Sequence, residues 1–179
     1  MKEFSKIEWT DATWNFILGC DKCSPGCAGC YALKDVARMA GNPNPNVSAA
    51  NEGLVYRQEN GLLNWTGGIN FMPQRLAKPF EWPDRMKVFV NSLSDAFHDS
   101  VPLEVIRRAF AVMRATPWHN YQVLTKRADN LEKLSGELDW PANVWQGVSV
   151  ENQANAYRID HLRRTGAKVK FLSVEPLLG

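Results

Sequence analysis

The stretch Lys87-Val88-Phe89-Val90-Asn91-Ser92-Leu93-Ser94-Asp95, with the residues that follow it, decides the fold class. Its apolar run predicts a buried strand that ends in polar residues. Residues 101–115 then place apolar side chains at helical spacing, with Pro102 in the first turn, where its missing N–H costs nothing. Residues 121–124 form a second apolar run. A strand, a helix and a strand in this order are typical of a parallel α/β unit.

The same alternation extends along most of the chain. Strands are also predicted at residues 14–18, 69–72, 144–148 and 169–172, and helices at residues 31–40, 128–138 and 152–164. Residues 41–66 interrupt the pattern with several Asn, Pro and Gly residues, which indicates a long insertion or surface excursion. We therefore expect one α/β domain over residues 1–179 with an insertion at about 41–66.

The strong strand predictions end in polar side chains. Because the carboxyl ends of parallel strands form the ligand sites of α/β folds, these residues predict one shared site. Lys126 and Arg127 could hold a carboxylate or phosphate of a cofactor or substrate, and Glu151 and Glu175 could accept hydrogen bonds from a ligand. The alternative is that these residues belong to ordinary polar loops. Asp95 and His98 could bind a metal or transfer protons, and the alternative for them is a capped loop before the following helix. The candidates are Asn91, Ser92, Asp95, Thr125, Lys126, Ser149, Glu151, Ser173 and Glu175.

Composition excludes several classes of protein. The 179 residues are 45% hydrophobic and 22% charged, which is typical of a globular domain and not of a disordered chain. The net charge of +2 is too small to argue for nucleic acid or an anionic membrane. No apolar run is long enough for a transmembrane helix, and residues 1–5 lack a secretory signal. We expect a cytoplasmic protein that does not contact a membrane.

All four cysteines lie within eleven residues of sequence, at Cys20, Cys23, Cys27 and Cys30. A cluster this tight in a reducing compartment indicates a metal or iron–sulfur site, not a disulfide framework. In one interpretation Cys23, Cys27 and Cys30 hold three irons of a [4Fe–4S] cluster, and the fourth iron binds S-adenosylmethionine. In the other, all four cysteines close a zinc or iron–sulfur site.

Several stretches together resemble a known superfamily. Closely spaced cysteines ending in Cys27-Ala28-Gly29-Cys30-Tyr31, after a first strand, are similar to those of radical S-adenosylmethionine proteins. The chain more narrowly resembles a phage- and bacteria-associated family of uncharacterised three-Cys-motif proteins. The stretches that carry this likeness are residues 7–15, 19–20, 24–32, 88–98, 124–127, 143–152 and 171–179.

The resemblance implies a partial (β/α)6 TIM-like barrel, a [4Fe–4S] cluster and S-adenosylmethionine. It places Tyr31 and the polar strand ends around the cofactor, but it implies no substrate. The superfamily spacing favours Cys23 as the third ligand beside Cys27 and Cys30, whereas the narrower family favours Cys20. Similar chains continue past residues 175–179, so we expect a barrel that is truncated at its C-terminus.

Two hypotheses from different classes follow. The first is an enzyme that forms a 5′-deoxyadenosyl radical on an unknown substrate and needs an external electron donor. The second is a non-enzymatic zinc or closed iron–sulfur module that acts through a partner protein. Nucleic acid is a weaker candidate partner, suggested only by the phage association and two pairs of basic helical residues.

Overall fold

The computed structural model describes residue 5 and residues 7–178. Residues 1–4 and Gly179 lie outside this described part, so the expectation about a secretory signal, which concerns residues 1–5, falls mostly on residues that are not described. The strands are β1 (Ala12–Trp14), β2 (Ile17–Leu18), β3 (Val55–Arg57), β4 (Leu63–Trp65), β5 (Asn70–Phe71), β6 (Lys87–Val90), β7 (Asn120–Thr125), β8 (Val144–Ser149) and β9 (Val169–Ser173). The α-helices are α1 (Tyr31–Ala40), α2 (Pro45–Asn51), α3 (Lys78–Glu81), α4 (Leu103–Ala115), α5 (Ala128–Ser135) and α6 (Arg158–Arg163).

Five strands form one sheet in the order β1-β6-β7-β8-β9, and every neighbouring pair in it is parallel. Helix α4 connects β6 to β7, α5 connects β7 to β8, and α6 connects β8 to β9. The α/β class predicted from the sequence is confirmed. All five strands run in one direction, so their carboxyl ends share one edge of the sheet.

Two of the predicted strands differ from the structure. The run at 14–18 is split, because β1 ends at Trp14 and β2 pairs antiparallel with β5 outside the main sheet. Asn15 lies at the break, and its side chain bonds Ser92 Oγ and the Leu93 amide. The run at 69–72 shrinks to β5, so the prediction of six parallel strands is wrong for the described residues, which contribute five.

The helix predictions are closer. Helix α1 has the predicted bounds, and α4 begins two residues later than predicted, after Pro102. Helix α5 ends three residues earlier than predicted. The helix predicted at 152–164 is divided into a 3-10 turn at Gln153–Asn155 and α6.

Residues 41–66 are ordered into helix α2 and the antiparallel pair β3–β4. Their apolar side chains pack with α1 in a small second core that contains Leu33, Val36, Leu54 and Trp65. The segment therefore builds a layer against α1 and the end of β2.

The main core lies between the sheet and its helices. Trp14 is 1% exposed, and its ring packs on Phe16 and Tyr121 with centroids 4.7 and 5.7 Å apart. Its indole N–H donates to the Arg75 carbonyl at 2.7 Å, so the buried polar atom is satisfied. Among the described residues, every helix is too short or too polar to cross a lipid bilayer.

Candidate functional site

A cavity of about 630 Å³ opens at the carboxyl edge of the parallel sheet. This volume lies within the range of small-molecule sites. Its wall contains residues at or just after the ends of β6, β7, β8 and β9, together with part of the segment between β2 and α1. The predicted site residues that line it are Cys20, Cys23, Cys27, Cys30, Tyr31, Asn91, Ser92, Asp95, Thr125, Lys126, Ser149, Ser173 and Glu175.

The cysteines lie on residues 20–30, here called the cysteine loop. Its second half is a 3-10 helix at Pro25–Gly29, and Cys30 then caps the start of α1. All four thiols are free; Cys27 is buried, Cys23 is exposed, and Cys20 and Cys30 are half-buried. The Cys23 and Cys27 sulfurs are 4.0 Å apart. The loop thus presents four thiols to one cavity.

The thiols differ in acidity. A hydrogen bond from the Cys23 thiol, helped by one from the Cys23 backbone, lowers the pKa of Cys27 to about 5 against the opposing effect of burial. Burial raises the pKa of Cys20 to about 12, and the nearby Asp95 carboxylate adds to this effect. Cys27 is therefore the thiol that the protein itself holds ready as a thiolate, which is the form that binds metals.

The donor set can be compared with what each metal group requires. Within residues 5 and 7–178, no three His, Cys, Asp or Glu side chains are arranged so that they could hold a metal ion. Ligands of a mononuclear zinc converge on one point, whereas the thiolates of a [4Fe–4S] cluster bind separate irons. All four cysteines line the same cavity, and the Cys23 and Cys27 sulfurs lie 4.0 Å apart.

Glu151 is the predicted site residue that does not line the cavity. Its side chain is fully buried behind the cysteine loop, where Oε1 accepts from Ser24 Oγ and Lys126 Nζ, both at 2.7 Å. Arg158 lies 3.5 Å from Oε2 and donates to the Ser149 carbonyl at 2.8 Å. Burial acts to raise the pKa of Glu151, but the hydrogen bonds from Lys126 and Ser24 outweigh it and lower the pKa.

Asp95 is enclosed by donors from the next strand. Thr125 Oγ1 lies 2.7 and 2.8 Å from its two carboxylate oxygens, and the Lys126 and Phe97 amides donate at 3.1 and 2.9 Å. Burial raises its pKa, and these hydrogen bonds oppose the rise. His98 Nδ1 accepts from the Ser100 amide, a local contact within the loop, whereas the N-cap of α4 is Pro102 and makes no side-chain cap hydrogen bond.

A second ionic contact fastens the first half of the cysteine loop. The Asp21 carboxylate pairs with Arg127, and the same oxygen lies 3.4 Å from His98 Nε2. Arg127 is also 3.9 Å from Asp95. The charged groups at the end of β7 are therefore engaged with the loop and with β6.

Other predicted residues remain available to a ligand. The hydroxyls of Ser149 and Ser173 and the Glu175 carboxylate make no hydrogen bond to another group in the described part of the chain, and all three residues line the cavity. Tyr31 is 52% exposed, and its hydroxyl donates to the Ser92 carbonyl. These groups offer hydrogen bonds beside the thiols.

Asn91 has a backbone role at the end of β6. It takes a φ of 55°, in the left-handed region that Asn tolerates better than most residues. Its Oδ1 accepts from the Ile17 amide at 3.3 Å, and its own amide donates to the Trp14 carbonyl. The turn carries Ser92 to the cavity wall and ties the end of β6 to β1 and β2.

A family model described as a protein of unknown function, DUF5131, matches residues 4–179. The chain belongs to the DUF5131 family. Comparison with curated proteins finds no match, and comparison with solved structures finds none either.

Sequence analysis of this DUF5131 chain missed three residues of the site: Asp21, Ser24 and Arg158. The first two lie inside the cysteine loop, at positions that the spacing of the cysteines does not mark as ligands. Arg158 stands four residues before Leu162 on α6, and both are buried. A charge at a core-facing helix position is the signal that could have found it, because buried charges are nearly always paired.

Proposed function

We propose that this chain is a radical S-adenosylmethionine-type iron–sulfur protein that acts on an unknown substrate. The observation that carries the proposal is the convergence of four free thiols and the polar ends of four parallel strands on one cavity. Cys27, Cys30 and either Cys20 or Cys23 would hold a [4Fe–4S] cluster. When bound, such a cluster and S-adenosylmethionine together supply a 5′-deoxyadenosyl radical.

The chain's own residues support this assignment in two ways. Lys126, Arg127 and Arg158 bind the carboxylates of Asp21 and Glu151, and these contacts hold the cysteine loop against the cavity wall where a cluster would bind. Ser149, Ser173 and Glu175 leave hydrogen-bonding groups on the wall of the same cavity, where the ribose hydroxyls and methionyl ammonium of the cofactor could bind.

The proposal also includes the barrel, the cellular location and the partners expected from the sequence. The parallel sheet would be part of a (β/α) barrel, with the cavity at its carboxyl end. The protein would work in the cytoplasm, where an external electron donor reduces the cluster. Nucleic acid stays the weakest candidate partner because the net charge is only +2.

A second function has one observation in its favour. Asp95, Lys126, Arg127 and Glu151 bond mainly to one another and to the cysteine loop, which leaves fewer free groups for catalysis. A metal-binding module that acts through a partner protein would need only such a rigid scaffold.

Metal analysis tests the proposal. Protein purified without oxygen should contain iron and sulfide, and Cys27→Ala and Cys30→Ala should each abolish both. Cys20→Ala and Cys23→Ala should differ from each other, because only one of the two thiols supplies the third ligand. Ser173→Ala, which alters the same cavity wall but leaves all four thiols in place, is the matched control. Stoichiometric zinc without iron would overturn the proposal and favour the module.

A further inference from the structure

The cysteine loop is fastened to the sheet at two separate places by groups that are not cysteines. Asp21 binds Arg127 after β7, and Ser24 binds Glu151 after β8. Both contacts join the loop to residues more than a hundred positions later in the chain. A loop held only by a metal would not need them.

We propose that Glu151 is a positioning residue that, through Ser24, holds Cys27 in place before any metal is bound. The metal-free protein then keeps an ordered cysteine loop. Which metal group the loop holds rests on the proposed function. That the loop is ordered without a metal does not depend on that function.

The first step of the relay joins Ser24 to Cys27. The Ser24 hydroxyl donates to Glu151 Oε1 at 2.7 Å and lies 3.6 Å from the Cys27 sulfur. The Ser24 carbonyl accepts from the Cys27 amide at 3.0 Å. Fixing Ser24 therefore fixes both the backbone and the thiol of Cys27.

The second step fixes Glu151. Its carboxylate is fully buried and is shared between Lys126 and Arg158, two cations that come from different elements. Hydrogen bonds that involve a charged group are about twice as strong as neutral ones. Glu151 can serve as an anchor because neither of its oxygens is free to turn toward solvent.

The third observation is steric. A Cβ added to Gly26 would lie 2.4 Å from Glu151 Oε1 and 2.6 Å from its Cδ. No side chain fits between the loop and this carboxylate, so the 3-10 helix rests directly on it. A Cβ added to Gly29, three residues further along the loop, would have no such neighbouring atom within 4 Å.

Preorganisation has a chemical consequence. Small zinc domains whose ligands are gathered by the metal alone unfold when the metal is removed. A loop that is already ordered loses less conformational entropy when it binds its metal group. Cys27 would thus be in position, and largely shielded, in the metal-free protein.

Amide hydrogen exchange of the metal-free protein tests this role. Reduced, metal-free protein is transferred to deuterium oxide, and exchange at the Cys27 amide is measured by mass spectrometry of fragmented peptides. The Cys27 amide, which donates to the Ser24 carbonyl, should exchange at least tenfold more slowly in the wild-type chain than in urea. Ser24→Ala should raise its rate about tenfold, the size expected for loss of a hydrogen bond to a charged group. Ser24→Thr, which restores the hydroxyl, should return the rate to within twofold of wild type.

Glu151→Gln should raise the Cys27 rate as Ser24→Ala does, while Glu175→Gln, which removes the same charge from the cavity wall, should leave it unchanged. Thermal melts of every variant separate a loosened loop from global unfolding. Equal Cys27 rates in wild type and Ser24→Ala, or no rescue by Ser24→Thr, would overturn the role of Glu151. Zinc in place of iron would defeat the proposed function and leave these rates as expected.

Discussion

Replacing Gly26 by alanine tests the fit between the cysteine loop and the sheet. The new Cβ would lie 2.4, 2.6 and 2.9 Å from three atoms of the Glu151 carboxyl group and stem. Real Cβ atoms do not approach other heavy atoms this closely. Because Lys126 and Arg158 hold the carboxylate, it cannot retreat without losing its ion pairs. The loop must therefore move, and Cys27 with it.

The size of the effect follows from the packing. Forcing a methyl group into a filled space costs about 1–3 kcal/mol. In a chain of this length, 1 kcal/mol shifts the melting temperature by about 2–4 °C. Gly26→Ala should therefore lower the melting temperature by about 4–8 °C for a central cost of about 2 kcal/mol.

The assay is a thermal melt of the metal-free protein, followed by iron content after reconstitution. Gly29→Ala is the matched control, because it adds the same methyl group to the same 3-10 helix in open space. It should change the melting temperature by no more than about 1–2 °C. Equal behaviour of the two variants, or full iron binding by Gly26→Ala, would refute this picture of the loop.

Three further changes have defined outcomes. Arg158→Met leaves the buried Glu151 with one cation fewer, and denaturant titration should show a loss of about 3–5 kcal/mol; an unchanged midpoint would contradict the pairing. Gly147→Ala would place its Cβ 2.4 Å from the Phe171 ring on β9, so the free energy of unfolding should fall by about 1–3 kcal/mol. Arg164 lowers the pKa of Glu132 to about 2, so this pair stabilises the protein above about pH 4.5 and the stability is lost as the pH falls toward 2. Glu132→Gln should flatten that part of the pH–stability curve, and an identical curve would exclude the contribution.

The general architecture could be predicted because hydrophobic periodicity is a local signal. The apolar runs at β6, β7, β8 and β9 are buried in the parallel sheet, and the helices between them show their apolar spacing directly in sequence. The convergence of their polar ends then follows from the shared direction of parallel strands. Neither the strand positions nor their shared edge depends on which side chains are in contact.

Long-range hydrogen bonds explain what the sequence did not show. Residues 14–18 form one apolar run, yet the structure breaks it where the Asn15 side chain bonds groups almost eighty positions away. Glu151 was correctly placed at a strand end, but nothing local shows that Ser24, from the cysteine loop, would occupy its carboxylate. Such contacts depend on how the elements pack, which periodicity does not encode.

The measurement that tests the central claim most directly is product formation. Protein reconstituted without oxygen with iron and sulfide is reduced in the presence of S-adenosylmethionine, and 5′-deoxyadenosine is measured by mass spectrometry. The proposed function predicts this product from the wild-type chain and none from Cys27→Ala or Cys30→Ala. A chain that carries its full complement of iron and sulfide yet forms no 5′-deoxyadenosine above the level of these variants would contradict it.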